Sequence, residues 1–257
     1  LRGRATGGDS GVEQPRAVEM NREPELARRR DDVAELVERR FAGLAERGWL
    51  AGYRNVTTVV APRTLLPCAL PVVGVGNSLP LLSAPRLPLL LAALASLPVD
   101  FLARARHAGA NLNFFKLEQV PVPPPSAYDV PAPWAPGVSV DRWVLTRFAR
   151  AVAWTPALSA LAAELRSLGV DVPATILPPP ERAAAFADLD AVHAVLLGLS
   201  RDDVELVLST FGELRRREES ASGSFATATR VLAAYDALTL PPGADQGNRP
   251  VRTGRFP

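Results

Sequence analysis

Residues 109–125 read GANLNFFKLEQVPVPPP and separate two kinds of sequence. A short apolar piece, Phe114 and Phe115, leads into Lys116, the only lysine of the chain. The closely spaced prolines from Pro121 onward favour an extended, polyproline-like backbone. We therefore expect a short extended segment over 114–122, after which the chain crosses into a second unit.

The sequence before this junction mixes strand and helix patterns. Apolar residues recur at helical spacing over 24–47, which predicts an amphipathic helix with a proline in its first turn. A β-branched run and two apolar runs predict strands over 56–60, 65–75 and 78–82. Prolines confine the second of these strands to a sheet edge. The apolar stretch over 87–107 predicts a helix that bends at Pro98.

The sequence after the junction is helical. Apolar spacing predicts helices over 140–154, 158–168, 181–197 and 223–238. Ser200, followed three residues later by Asp203, predicts the N-cap of a further helix that ends near Phe211. We therefore expect an α+β fold, in which a small mixed β/α unit precedes an α-helical C-terminal part.

These patterns divide the chain into four parts. Residues 1–20 are Gly-rich, polar and aperiodic, which is typical of a disordered leader. Residues 21–125 comprise the predicted helix and the mixed β/α unit. Residues 126–240 comprise the predicted helical support domain, and the polar residues 241–257 are expected to form a flexible tail.

The amino-acid composition limits the kinds of protein that this chain can be. A hydrophobic fraction of 47% is ample for a buried core, and the single Cys68 excludes a disulfide within the chain and indicates a reducing compartment. The richest apolar stretch, 87–97, is far shorter than the roughly 20 residues that span a bilayer. We therefore expect a cytoplasmic protein without a membrane partner.

Charge is unevenly distributed, although the net charge is only +2. Residues 48–125 hold six basic and two acidic side chains, a net of +4. Residues 181–240 hold six arginines and ten acidic side chains, a net of −4. A basic segment is typical of a surface that binds a polyanion.

Catalytic signatures are missing from the sequence. His107, His193 and Cys68 are too widely spaced to predict a zinc site, and there is no G-x-S-x-G elbow or Walker loop. The chain also lacks the Asp-Pro-Pro-Tyr or Asn-Pro-Pro-Tyr site of amino-methyltransferases and a glycine-rich loop for S-adenosylmethionine. We predict no catalytic, cofactor-binding or metal-binding residue in this chain.

Several runs of sequence resemble a known family in their order and spacing. They are RNVTTVVAPRTLLPCALP (54–71), GNSLPLL (76–82), LLAALASLPVDFLAR (90–104) and NLNFFKLEQVPVPPP (111–125). They are similar to the C-terminal region of large type IIG-like restriction–modification enzymes. Adenine-specific DNA methyltransferases of bacterial phage-defence systems share this region. Residues 189–211 are similar to the closing helical segment of that region.

In that family the region follows the methyltransferase domain and belongs to target recognition and its helical support, so the resemblance implies that residues 21–125 hold a DNA target-recognition unit and residues 126–240 its support domain. The resemblance implies that this chain binds duplex DNA. It also implies that S-adenosylmethionine and catalysis belong to a methyltransferase domain or subunit whose core these residues do not contain.

DNA docking needs cations for phosphates and amides or forked donors for base edges. The candidate DNA-binding residues are Arg54, Asn55, Arg63, Thr64, Arg104, Asn111, Asn113, Lys116 and Gln119. Arg63 and Thr64 are the leading phosphate candidates, and Asn111 and Asn113 can present amides to adenine. An alternative interpretation assigns the asparagines to turn caps and pairs Arg104 with Asp100 one helical turn earlier.

Two other functions remain open at this point. In a protein-interaction scaffold, the acidic helices over 181–240 would dock on a partner subunit. The start at Leu1 and the polar leader also fit a truncated remnant without independent function.

Overall fold

This computed structural model describes residues 46–107 and 109–239. A three-stranded antiparallel sheet lies near the start of the described residues. Its strands are β1 (Trp49–Tyr53), β2 (Pro67–Pro71) and β3 (Leu81–Leu82), in the order β2, β1, β3. Every residue of the central strand β1 is buried. β2 lies at an edge of the sheet as predicted, because its prolines have no N–H to donate to a second neighbour.

Gly52 is the close-contact point of this sheet. It pairs with Cys68 of β2 and with Leu81 of β3, and a Cβ atom at Gly52 would lie 2.8 Å from the carbonyl oxygen of Pro80. Only glycine fits that spacing without a backbone shift. Glycine and alanine are poor strand formers, so the pattern of residues does not predict β1, and only the tertiary structure reveals it.

Two helices follow the sheet, where the sequence predicts a single bent helix. α1 (Leu87–Leu94) and α2 (Leu97–Arg106) meet at an angle of 74°. Pro98 lies in the first turn of α2, where its missing N–H costs no hydrogen bond, so the break falls just before the proline. No described helix is by itself long and apolar enough to cross a membrane, and only α1 and α2 taken together as a bent pair reach that length and composition.

The remaining described helices run from the junction to the end of the described chain. They are α3 (Phe114–Leu117), α4 (Val140–Ala151), α5 (Ser159–Ser167), α6 (Pro179–Leu196), α7 (Arg201–Ser209), α8 (Gly212–Ser222) and α9 (Ala226–Thr239), with short 3₁₀ turns at Pro125–Tyr128 and Pro156–Leu158. Ser200 and Asp203 form a capping box at the start of α7, as predicted. The α+β class with a helical C-terminal part is therefore confirmed.

α6 is the central helix of the C-terminal part. It packs against α4 on one side and α9 on another, and residues 189–194 are all buried, as expected for a helix surrounded by protein. Trp49 of β1 and Trp143 of α4 belong to the same hydrophobic cluster. Residues from both sides of the junction therefore share one core, and all described residues belong to one structural unit.

Two polar side chains of α6 are buried and hydrogen-bonded. Asp190 Oδ1 accepts a hydrogen bond of 2.7 Å from the backbone N–H of Leu97 at the start of α2, and burial raises the pKa of Asp190 to about 7. His193 contacts the Leu189 carbonyl oxygen and the Tyr128 hydroxyl, and burial lowers the pKa of His193 to about 4. Both side chains therefore serve the packing of α6 against its neighbours.

Two predicted extended segments are wrong. Residues 56–60 form a loop: Val56 makes one isolated bridge, while Val59 and Val60 are exposed. Residues 114–117 form the α3 turn, because the Asn113 carbonyl oxygen accepts the N–H groups at the end of that turn. Local composition favours a strand at 56–60 and an extended segment at 114–122, but among the described residues neither stretch joins a sheet.

α8 is a helix that the sequence pattern does not predict. Its run of arginine and glutamate has no apolar periodicity, and none of its described side chains is buried. Ion pairs one turn apart support it instead, such as Arg215 with Glu219 and Arg217 with Glu213. The predicted leader, the predicted tail and all but the last two residues of the predicted helix over 24–47 lie outside the described residues.

Candidate nucleic-acid interface

A β-bridge between Val56 and Asn111 joins two loops that are far apart in the sequence. The backbone N–H of Leu112 donates to the carbonyl oxygen of Asn55 at 2.9 Å and extends this pairing. The loop after β1 and the loop before α3 therefore lie side by side. The bridge brings candidate residues from two of the family-like runs, 54–71 and 111–125, into one place.

α3 is a single turn that its own side chains brace. Lys116 Nζ donates to the Asn111 carbonyl oxygen at 2.9 Å, and Gln119 Nε2 donates to the Phe115 carbonyl oxygen at 2.8 Å. Leu112 before the turn and Leu117 at its end are buried. The backbone of α3 is therefore held to the protein at both ends.

The amide groups near the bridge are only partly used inside the protein. Asn113 occupies the N-cap position of α3, but its side chain makes no capping hydrogen bond. Asn55 is half-buried, and its Oδ1 atom is buried and accepts no hydrogen bond from any described residue, so this oxygen does not face a partner. Asn111 is exposed. The alternative in which the asparagine side chains cap turns therefore finds no support at Asn113.

Exposed cations occur in the segments that meet at or near the bridge. Arg54 is exposed and donates to Thr57 Oγ1 at 3.2 Å. Arg106 is exposed at the end of α2, next to His107, whose Nε2 lies 3.2 Å from the Thr57 carbonyl oxygen. Arg54 and Lys116 therefore lie next to the bridged residues, and Arg106 lies next in sequence to a residue that contacts the same loop. One acidic residue, Glu118, lies close enough to Tyr53 to add to the effect of burial, which raises the pKa of that tyrosine to about 12.

Two phenylalanines of α3 are also exposed, and the sequence pattern by itself assigns them no role. Phe114 and Phe115 are both about half exposed, and the Phe114 ring packs edge-on against Tyr53 with the ring centroids 6.0 Å apart. The signal in the sequence is an aromatic pair between polar residues, Asn113 and Lys116, where a buried strand would continue apolar. We define the candidate surface as Arg54, Asn55, Val56, Arg106, Asn111, Asn113, Phe114, Phe115, Lys116 and Gln119.

The buried side chain of Asp100 binds other candidate residues in the interior of the protein. It is fully buried in the first turn of α2 and accepts backbone N–H groups from Thr64 and Leu65 at 3.1 Å. Arg63 Nε donates to Asp100 Oδ2 at 2.8 Å, and Arg63 Nη2 donates to the Ala95 carbonyl oxygen. A buried carboxylate is tolerated when its charge is paired and its oxygens are hydrogen-bonded.

This geometry corrects the expectation that Arg63 and Thr64 are the leading phosphate contacts. Thr64 is 0% exposed, and its hydroxyl donates to the Thr58 carbonyl oxygen. The Arg63 guanidinium is held by Asp100. Both residues shape the loop between β1 and β2 from inside.

Arg104 also turns inward, which corrects its predicted DNA contact. Its Nε lies 3.5 Å from Asp100 one turn earlier, as the alternative interpretation expects, and its Nη2 donates to the carbonyl oxygens of Ala61 and Pro62. Its guanidinium lies over the Phe211 ring at 4.0 Å from the centroid. Burial lowers the pKa of Arg104, and the nearby Asp100 partly offsets that effect. Arg104 therefore ties the β1–β2 loop to the C-terminal helices.

A cleft of about 340 Å³ borders the candidate surface. Phe114 forms one wall, and Leu82, Leu94 and Val120 form others. Among the described residues, no group of three or more His, Cys, Asp or Glu side chains is arranged to hold a metal ion. The arrangement can bind a partner through amides, cations and aromatic rings.

Comparisons with known proteins assign no family, since no protein-family model, curated protein or solved structure matches this chain. The resemblance to methyltransferase recognition regions therefore stays a prediction.

Proposed function

We propose that this protein is a DNA target-recognition module of an adenine-specific DNA methyltransferase or restriction–modification enzyme, and that the candidate surface faces duplex DNA. The bridge between Val56 and Asn111 is the observation that carries the proposal. It brings the loop that carries Arg54 and Asn55 beside the segment 111–119, which carries amides, a cation and aromatic rings. That combination supplies both phosphate and base-edge contacts.

In this proposal the methyl transfer belongs to a methyltransferase domain or subunit that binds S-adenosylmethionine. The module positions that partner on the target sequence. Both act in the cytoplasm, where the DNA substrate of such a system lies. Asn111 and Asn113 read base edges, and Arg54, Arg106 and Lys116 contact phosphates. Arg63, Thr64 and Arg104 support the loop that presents Arg54.

Salt dependence of DNA binding tests the proposal. Three phosphate contacts correspond to a slope of log Kd against log salt of about 3, because each contact contributes about 0.9. Affinity for a mixed-sequence duplex should therefore fall roughly 40-fold between about 50 and 200 mM salt. Undetectable binding, or affinity that does not change with salt, would contradict the proposal.

A scaffold that binds a partner protein is the second candidate, and exposed apolar residues favour it. Val60 is 75% exposed, and Val56 and both phenylalanines are about half exposed. Docking of a partner on the acidic helices over 181–240 is less favoured. Several carboxylates of these helices pair with arginines of this chain, as Glu181 does with Arg150. Co-purification with a partner subunit after nuclease treatment, without any DNA affinity, would support the scaffold instead.

A further inference from the structure

We propose that Phe115 is an apolar wedge that enters a base step of bound duplex DNA and partly unstacks it. The inference rests on the proposed function and assigns a role to the most exposed ring of the candidate surface. Phe115 is 57% exposed although it lies on a turn whose neighbours are held in place. Proteins that kink DNA insert such apolar side chains between adjacent bases.

The direction of the ring follows from the helical turn. Successive side chains on a helix diverge by about 100°, so Phe114 and Phe115 cannot cover the same site. Phe114 packs against Tyr53 and lines the cleft beside β3. Phe114 therefore anchors the turn, and Phe115 projects away from that contact.

The turn is preorganised for insertion. The Phe115 carbonyl oxygen accepts a hydrogen bond from Gln119, and the buried Leu117 fixes the end of the turn. Lys116 ties the turn to the Asn111 loop. A wedge needs such support because unstacking two bases opposes its insertion.

The surroundings of Phe115 favour a base step over a protein groove. Its polar sequence neighbours on the candidate surface are amides and a cation: Asn111, Asn113, Lys116 and Gln119. A protein-docking core is apolar and depleted of charge. An exposed ring beside hydrogen-bond donors and a cation instead matches a partner with stacked apolar faces and an anionic backbone.

Plasmid relaxation tests the wedge without knowledge of the target sequence. Closed circular plasmid is relaxed by topoisomerase I in the presence of the full chain, and its linking number is measured after removal of the protein. A wedge unwinds the DNA, so wild-type protein should leave negative supercoils. Phe115→Ala should abolish this shift and weaken plasmid binding roughly tenfold, whereas Phe115→Leu should retain much of the shift, because leucine also serves as a wedge.

Leu206→Ala is the matched control, since Leu206 on α7 is also 57% exposed but lies outside the candidate surface. It should leave both the shift and the affinity unchanged. Plasmid binding without any change in linking number would overturn the wedge and leave the proposed function standing. Absence of plasmid binding would overturn both. Self-association that Phe115→Ala abolishes, with no unwinding, would assign the ring to a protein contact and overturn the wedge.

Discussion

Two groups of polar side chains from the same basic segment face opposite directions. Arg63, Thr64 and Arg104 turn inward to Asp100, while Arg54 and Asn111 stay on the surface beside the bridge. The residue types are alike, and what differs is the presence of a buried carboxylate within reach. A single buried acidic residue therefore decides which arginines of a basic segment remain for a partner.

The largest effect is expected from Asp100→Ala. The change leaves two arginines without their buried partner and the backbone N–H groups of Thr64 and Leu65 unsatisfied. We expect the free energy of unfolding to fall by about 3–5 kcal/mol in urea titrations.

Asp129→Ala is the control for that experiment. Asp129 also pairs with an arginine, Arg86 at 2.6 Å, but its side chain is mostly exposed, so its loss should cost no more than about 1 kcal/mol. Equal losses in the two variants would show that burial is not what distinguishes the two groups.

Asp190→Asn sharpens the comparison, because Asp190 is a buried carboxylate without a direct arginine pair among the described residues. Burial raises its folded-state pKa to about 7, above the unfolded value, so the folded state binds the proton more tightly. Its contribution to stability is present at low pH and is lost as the pH rises through 7. The stability of wild type relative to Asp190→Asn should therefore fall by about 2.5 kcal/mol between pH 5 and 8.

His193 acts in the opposite direction over part of this range. Its folded-state pKa is lowered to about 4 by burial, so its contribution is lost as the pH falls below its unfolded value. Because His193 is present in both proteins, its effect cancels in the difference between their chemical-denaturation curves. A difference that does not change with pH would contradict the assignment of Asp190.

Arg63→Ala should lower the free energy of unfolding by about 2 kcal/mol, because a hydrogen-bonded partner of the buried Asp100 is lost. Thermal or urea unfolding measures this change. Arg166→Ala, on the exposed face of α5, is the matched control and should change stability by less than about 0.5 kcal/mol. If the Arg63 variant keeps full stability and instead loses DNA affinity, the inward assignment of Arg63 is wrong.

Arg54→Ala is expected to have the smallest effect on folding and a specific effect on binding. Arg54 is exposed, so stability should change by less than about 0.5 kcal/mol. The slope of log Kd against log salt for duplex DNA should fall by about 1, since one phosphate contact is removed. An unchanged slope in Arg54→Ala, with Arg166→Ala as reference, would remove Arg54 from the candidate surface.

The elements that follow local rules could be predicted from the sequence. Ser200 and Asp203 mark the start of α7 through their own hydrogen bonds, and the prolines of β2 exclude a second strand on one side. The loop over 56–60 and the turn at α3 could not be predicted, because their conformation depends on which distant backbone groups are available for pairing. The sequence does not predict β1 for a related reason. Gly52 has a low strand propensity, and it is needed there because the carbonyl oxygen of Pro80 lies too close for a Cβ atom.

The candidate site divides in the same way. The sequence alone determined which residue types are present: a basic segment, the amide side chains of Asn111 and Asn113, and the aromatic pair before Lys116. Only the tertiary structure decided which of them share a face, because the bridge between Val56 and Asn111 joins positions 55 residues apart. It also decided that Arg63 and Arg104 turn inward, since a charge buried at Asp100 must be compensated by the nearest cations, whichever loop or helix carries them.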